Sequence, residues 1–139
     1  MAEPMQVFID GASAGNPGPS GIGAVFVNAK GEAALQLHKY LGETTNNVAE
    51  YLALVYALQE ALARGWTSLA VKTDSELLAK QLNGQYKVRD PLLRLFHDVA
   101  AHAMSRLGSC TIEHISRTQN TRADRLAAKG VASRFDVRL

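Results

Sequence analysis

In MQVFID, residues 5–10, Val7 and Ile9 alternate with Phe8 and Asp10, and a period of two predicts a β-strand. GIGAVFVNAKGEAALQLHKYLG, residues 21–42, predicts two further strands around a turn at Asn28 to Gly31. The clearest helix is TTNNVAEYLALVYALQEALARG, residues 44–65, which starts near the Thr/Asn cluster and stops at Gly65. SLAVKTDS, residues 68–75, predicts a short apolar strand, and SELLAKQL, residues 75–82, a short helix ended by Asn83-Gly84. DPLLRLFHDVAAHAMSRLG, residues 90–108, carries Asp as N-cap, Pro in the first turn and Gly at its close, the marks of an amphipathic helix. CTIEHIS, residues 110–116, predicts the last strand, and NTRADRLAAKGVA, residues 120–132, the last helix. A three-strand meander followed by strands alternating with helices implies an α/β fold, a mixed sheet with helices covering it.

GASAGNPGPSG, residues 11–21, raises the question of a phosphate cradle. A cradle needs its glycines where a strand turns into a helix. Here Pro17 and Pro19 interrupt the stretch and strand-like GIGAVFV follows, so the segment reads as a turn between antiparallel strands.

The 139 residues, 47% hydrophobic and 20% charged, describe one folded domain over 1–139 and exclude a disordered chain. No apolar run approaches the ~18–20 residues of a membrane span. MAEPMQ lacks a basic-then-apolar signal pattern, so the expectation is a cytoplasmic protein with no membrane partner. The one cysteine, Cys110, excludes an internal disulfide and a Cys-cluster metal site, and is read as a small buried thiol. The net charge of +2 is too small to identify a nucleic-acid partner. The charge is uneven, however: residues 121–139 hold Arg122, Arg125, Lys129, Arg134 and Arg138 against Asp124 and Asp136.

Four carboxylates carry the candidate chemistry. Asp10 ends the first strand, Glu50 lies one turn into the long helix, Asp74 ends an apolar strand and Asp124 opens the last helix. Functional groups in such sheets gather beyond the carboxyl ends of parallel strands and at the adjoining helix starts. Carboxylates brought together repel, and either raised pKa values or bound cations relieve them. Oxygen-only ligands favour hard Mg²⁺ or Mn²⁺, and two such ions about 3.5–4 Å apart clamp a phosphodiester for hydrolysis. Each acid also has a bland reading. Asp74 suits a helix N-cap, Asp124 a helix dipole, and Glu50 a solvated helix face. Asp10 has no local capping role.

At these residues the chain resembles type I ribonuclease H. IDGASAGNPGPSGIGAVF is similar to that family's first strand and turn, TTNNVAEYLAL to its Thr-Asn-Asn-x-x-Glu helix start, TDSELL to its Thr-Asp-Ser segment, and QNTRADRLA to its closing helix. The resemblance spans nearly the whole chain. It implies a ribonuclease H-like fold: a mixed five-stranded sheet, a three-strand antiparallel meander plus two parallel strands, with helices on both faces. It also implies an enzyme that cuts the RNA strand of RNA–DNA hybrids with two Mg²⁺ or Mn²⁺ ions, leaving 5′-phosphate and 3′-hydroxyl ends. Asp10, Glu50, Asp74 and Asp124 would be the metal ligands. Gly15 and Asn16 would lie along the hybrid's minor groove, Asn46 would read a ribose 2′-hydroxyl, and Thr45 would touch a DNA phosphate. Turn and N-cap duty suit Asn16 and Asn46 equally.

The chain departs from the family in two places. Many members carry a loop histidine before the last helix; here the short loop HISRTQN offers Arg117, as in a subset with arginine there, and His114 falls within the preceding strand as a structural residue. Some relatives insert a basic, tryptophan-rich handle, whereas LNGQYKVRDP holds only Tyr86, Lys87 and Arg89, and Trp66 reads as structural. His38, His97 and His102 read as surface or packing residues. Weak, salt-dependent hybrid binding by a monomer is expected, through Lys87, Arg89 and the last helix. The rival functions are a hybrid-binding module that no longer cleaves, and a nuclease for another substrate such as double-stranded RNA.

Overall fold

The computed structural model describes residues 4–133; Arg134, Asp136 and Arg138, like most of the tail SRFDVRL, lie outside the described residues. Three strands, β1 (Met5–Ser13), β2 (Gly18–Val27) and β3 (Ala33–Thr44), lead into α1 (Asn46–Arg64). There follow β4 (Ser68–Thr73), α2 (Glu76–Leu82), α3 (Pro91–Ser105), β5 (Ser109–His114) and α4 (Thr121–Ala132). The five strands form one sheet in the order β3-β2-β1-β4-β5. β1 pairs antiparallel with β2, and β2 with β3, while β1–β4 and β4–β5 are parallel. This is the mixed sheet the residue pattern predicts.

Alternation along the central strands separates two packed faces. Val7 and Ile9 of β1 join Ile22, Ala24 and Phe26 of β2 in the main core, with Tyr51, Leu54 and Leu58 of α1 and Leu93 and Ala100 of α3. The intervening residues Val25 and Val27 pack with Leu126 of α4 and with Phe8 on the other face. α4 can approach because β2 presents glycine there: a Cβ on Gly23 would stand 2.4 Å from the Ala123 carbonyl oxygen and 2.5 Å from the Ala127 nitrogen. Helices therefore cover both faces.

Helix ends follow their capping residues. Thr45 Oγ1 accepts from Val48 N at 3.3 Å to start α1, and Gly65, at φ 71°, closes it in the left-handed region. Asp90 Oδ1 accepts from the Leu92 and Leu93 N–H groups at 2.9 and 3.0 Å to start α3. α3 stops at Ser105 with Arg106 as its cap, short of the expected Gly108; the chain needs those last residues to turn into β5, where Ser109 N donates to Thr67 O at 3.0 Å. β1 also runs beyond expectation. Asp10 is an interior residue of that strand, not its end, because pairing with β2 continues to Ser13↔Ser20. Ala14 N then donates to Pro19 O at 2.8 Å, closing the Gly/Pro turn between antiparallel strands.

Among the described residues no helix is long and apolar enough to cross a membrane. Trp66 packs against Phe26 with ring centroids 5.0 Å apart and the rings tilted by 47°, the structural role expected of it. Cys110 is half-buried, and burial pushes its thiol up to about 11, as suits an inert packing residue.

Candidate metal centre

The site forms where β1 outruns β4. Ile9 is the last β1 residue opposite β4, paired with Thr73, and Asp74 is the next residue along that chain. Asp10 follows Ile9 on β1. Glu50 descends from α1, which touches β1 so closely that a Cβ on Gly11 would lie 2.3 Å from the Ala49 carbonyl carbon. At that contact Gly11 N donates to Glu50 Oε1 at 3.1 Å.

Asp10, Glu50 and Asp74 each offer a carboxylate oxygen within 4.8 Å of the others. Asp124, in the first turn of α4, lines the same open cavity of about 240 Å³, along with Gly11, Ala12, Ser13, Asn46 and Arg117. Its Oδ1 stands 3.7 Å from Arg117 Nη2. All four predicted acids therefore share one cavity, three of them as a tight group and the fourth at its side beside an arginine.

The bland readings of Glu50 and Asp74 fail on geometry, while Asp124 does lie in the first turn of α4. Glu50 is 5% exposed, not solvated. Asp74 is not the N-cap of α2; Ser75 is, its Oγ accepting from Leu78 N at 3.1 Å. Asp10, also 5% exposed, is the most perturbed. Burial, then repulsion from Glu50 and Asp74, pushes its carboxyl up to about 10. Burial likewise pushes Glu50 up to about 7, against the opposing pull of hydrogen bonding, including the one from Gly11.

These residues fit a divalent cation. Glu50 Oε2 is buried and lacks a hydrogen-bond partner among the described residues, a costly condition for a carboxylate oxygen. The arginine lining the cavity, Arg117, is 82% exposed at its side chain and offsets the Glu50 charge only weakly, so the trio still favours a cation. The acidic donors of the trio are oxygens, which suit hard divalent ions.

Comparison with known proteins places the chain. Residues 8–130 match the family described as "Reverse transcriptase-like". "Ribonuclease H" from a Ruegeria species is 33% identical over 142 residues, covering 90% of this chain and 89% of that protein. The chain belongs to the ribonuclease H family. "Ribonuclease HI" of Halobacterium salinarum is 38% identical over 123 residues, covering 88% of this chain. The chain spans 62% of that relative's length. The solved structure of LC11-RNase H1 in complex with an RNA/DNA hybrid has a TM-score of 0.89 and 37% identity to this chain, covering 94% of it and 99% of LC11-RNase H1. The family and the acidic cluster together indicate use of a divalent metal.

The remaining predicted residues fall into three places. Asn46 lines the carboxylate cavity, and its backbone N–H donates to Asn16 Oδ1 at 3.0 Å, which ties the Gly/Pro turn to the start of α1. Thr45 is the α1 N-cap just described, and Gly15, at φ 127°, sits in the turn. Lys87 and Arg89 are exposed and line a separate groove of about 410 Å³ with Gln81, Gly84, Tyr86 and Val88. Arg117 opens a short 3₁₀ turn, Arg117–Gln119, inside the segment read as a plain loop. His114 does lie in β5, but it is exposed there and packs in no core.

The sequence reading gave no role to Asn120. It is 1% exposed, and its Nδ2 donates to Ile9 O at 2.8 Å and to Asp74 Oδ2 at 3.3 Å. Its sequence signals were its place as the asparagine before a helix, which ordinarily announces a cap, and its place four residues before Asp124 in the segment that resembles the family's closing helix; α4 receives no side-chain cap bond from it.

Proposed function

We propose that the protein is a divalent-metal-dependent endonuclease that hydrolyses the RNA strand of RNA–DNA hybrids, leaving 5′-phosphate and 3′-hydroxyl ends. The observation that carries this reading is the close trio of Asp10, Glu50 and the half-buried Asp74, with a Glu50 oxygen that has no hydrogen-bond partner among the described residues. The hybrid bound by LC11-RNase H1 supports the substrate class. Asp10, Glu50, Asp74 and Asp124 would hold two Mg²⁺ or Mn²⁺ ions, which when bound activate water and offset charge on the phosphorus and the departing 3′ oxygen.

The protein's own residues orient the substrate. Asp10 and Asp74 set the place of the scissile phosphate, with Asp124 on the nucleophile's side and Glu50 on the leaving group's. Asn46, at the cavity, reads a 2′-hydroxyl, which distinguishes RNA from DNA. Thr45 uses its oxygen to accept from Val48, and its hydroxyl proton remains for a DNA phosphate. Gly15 and Asn16 lie along the minor groove, and Lys87 and Arg89 meet phosphates farther out. Arg117 stands in the place of the family's loop histidine. Its guanidinium offers N–H donors in a planar fork, so it serves by attracting phosphate and easing product exchange. The chain 1–139 acts as one cytoplasmic, monomeric domain of this type.

The test is cleavage of a labelled RNA–DNA hybrid beside double-stranded and single-stranded RNA, with Mg²⁺, Mn²⁺ or EDTA. Cuts within the hybrid's RNA that vanish in EDTA, and in Asp10→Asn or Asp74→Asn, are expected. Hybrid binding without cleavage in either ion would mean a binding module instead.

A further inference from the structure

We infer that Asn120 is a positioning residue that sets the spacing of Asp74 against Asp10 before any metal arrives. The inference rests on the metal-site reading above and extends it to a residue outside the ligand set.

Asn120 stands where the parallel ladder between β1 and β4 runs out. Ile9↔Thr73 is the last pair, and Asn120 approaches at that end of the ladder. Asn120 Nδ2 takes the Ile9 carbonyl at 2.8 Å and reaches Asp74 Oδ2 at 3.3 Å. One amide thus joins the peptide next to Asp10 to the carboxylate of Asp74.

The orientation of that amide is not interchangeable. Ile9 O and Asp74 Oδ2 both accept, and an amide flip would set the acceptor Oδ1 against two acceptors. Nδ2 therefore uses both of its protons here. Among the described residues Oδ1 is buried without a partner, which costs free energy. A side chain serving α4 alone would sit better at the helix N-terminus, accepting from backbone N–H groups, and Asn120 makes no such bond. Its place is explained by what its nitrogen holds. Partners that fix a metal-ligating carboxylate from behind commonly cost 10–100-fold in metal affinity when removed.

The experiment is calorimetric titration of Mn²⁺, with no nucleic acid present, into wild type, Asn120→Ala, Asp74→Asn and the double variant. Asn120→Ala should weaken Mn²⁺ binding about 10-fold or more, yet add little in the Asp74→Asn background, because its partner carboxylate is gone. Cleavage by Asn120→Ala should recover as Mn²⁺ is raised by the same factor. Equal Mn²⁺ affinity in wild type and Asn120→Ala overturns the inference and leaves the metal reading intact. Absence of Mn²⁺ binding by wild type overturns both. Should Asn120→Ala fail to fold, side-chain amide NMR of wild type decides: Asn120 Nδ2 protons that are slow to exchange and shift on adding Mg²⁺ support the tether, and protons that do neither overturn it.

Discussion

At the scale of single residues, the site is an electrostatic problem left for a cation to solve. Asp10 is raised from 3.8 to about 10 and Glu50 from 4.5 to about 7, so the folded, metal-free protein holds protons that the unfolded chain has released. Stability then falls as pH rises above about 4, through 7 for Glu50 and on toward 10 for Asp10. Thermal melts in EDTA should show a lower Tm at pH 8 than at pH 5, and a constant Tm across that range would contradict the assignment. Metal displaces the same protons, so Mg²⁺ should raise Tm more at pH 8 than at pH 5. Asp10→Asn removes the ionisable group. It should stabilise the metal-free protein at pH 8 by at least about 1 kcal/mol, one pKa unit being worth about 1.4 kcal/mol, while abolishing cleavage.

At the scale of elements, small residues decide how close the helices come and so where the acids meet. Gly11 lets α1 bring Glu50 onto β1, and Gly23 lets α4 bring Asp124 to the same rim. Gly23→Ala would force its Cβ against the α4 backbone, which cannot yield as a flexible side chain would. The expected loss is about 1–3 kcal/mol, the usual result of overpacking, with Mn²⁺ affinity reduced as Asp124 moves outward; denaturant unfolding and metal titration of one sample read both. A smaller effect belongs to Asp90. Its carboxylate caps α3 far from the acids, so Asp90→Ala should cost about 1 kcal/mol and leave cleavage unchanged at temperatures where the variant is folded.

At the scale of the whole molecule, charge is divided between an acidic cavity and basic surfaces. Lys87 and Arg89 line one groove, and Arg122, Arg125 and Lys129 line another beside Gln36, between α4 and β3. Hybrid binding by such surfaces releases counterions, so affinity should fall steeply with salt. The double variant Lys87→Ala/Arg89→Ala should lower the slope of log affinity against log salt by about 2, with kcat unchanged; an unaltered slope would place the hybrid elsewhere.

The alternating and helical patterns were enough to determine the order of elements, because each element needs one apolar face and the chain writes that face into its spacing. Val7 and Ile9 were legible as core, Gly65 as a helix stop and Asp90 as a cap, since each depends on neighbours a few residues away. The four acids were legible as candidates, and the family resemblance grouped them, but spacing alone left Glu50 open to a solvated reading and Asp74 to a capping one. Tertiary structure settled those by burying Glu50 against Gly11 and giving the α2 cap to Ser75. It alone brought Asp124 beside Arg117 at the same cavity and put Asn120 between Ile9 and Asp74. The reason is physical: Asn120 and Ile9 are 111 residues apart in the chain, and a contact across that separation exists only once β1, β4 and α4 have packed. Local pattern records what a residue does for its own element, whereas the field at Asp10 depends on residues that folding alone brings near.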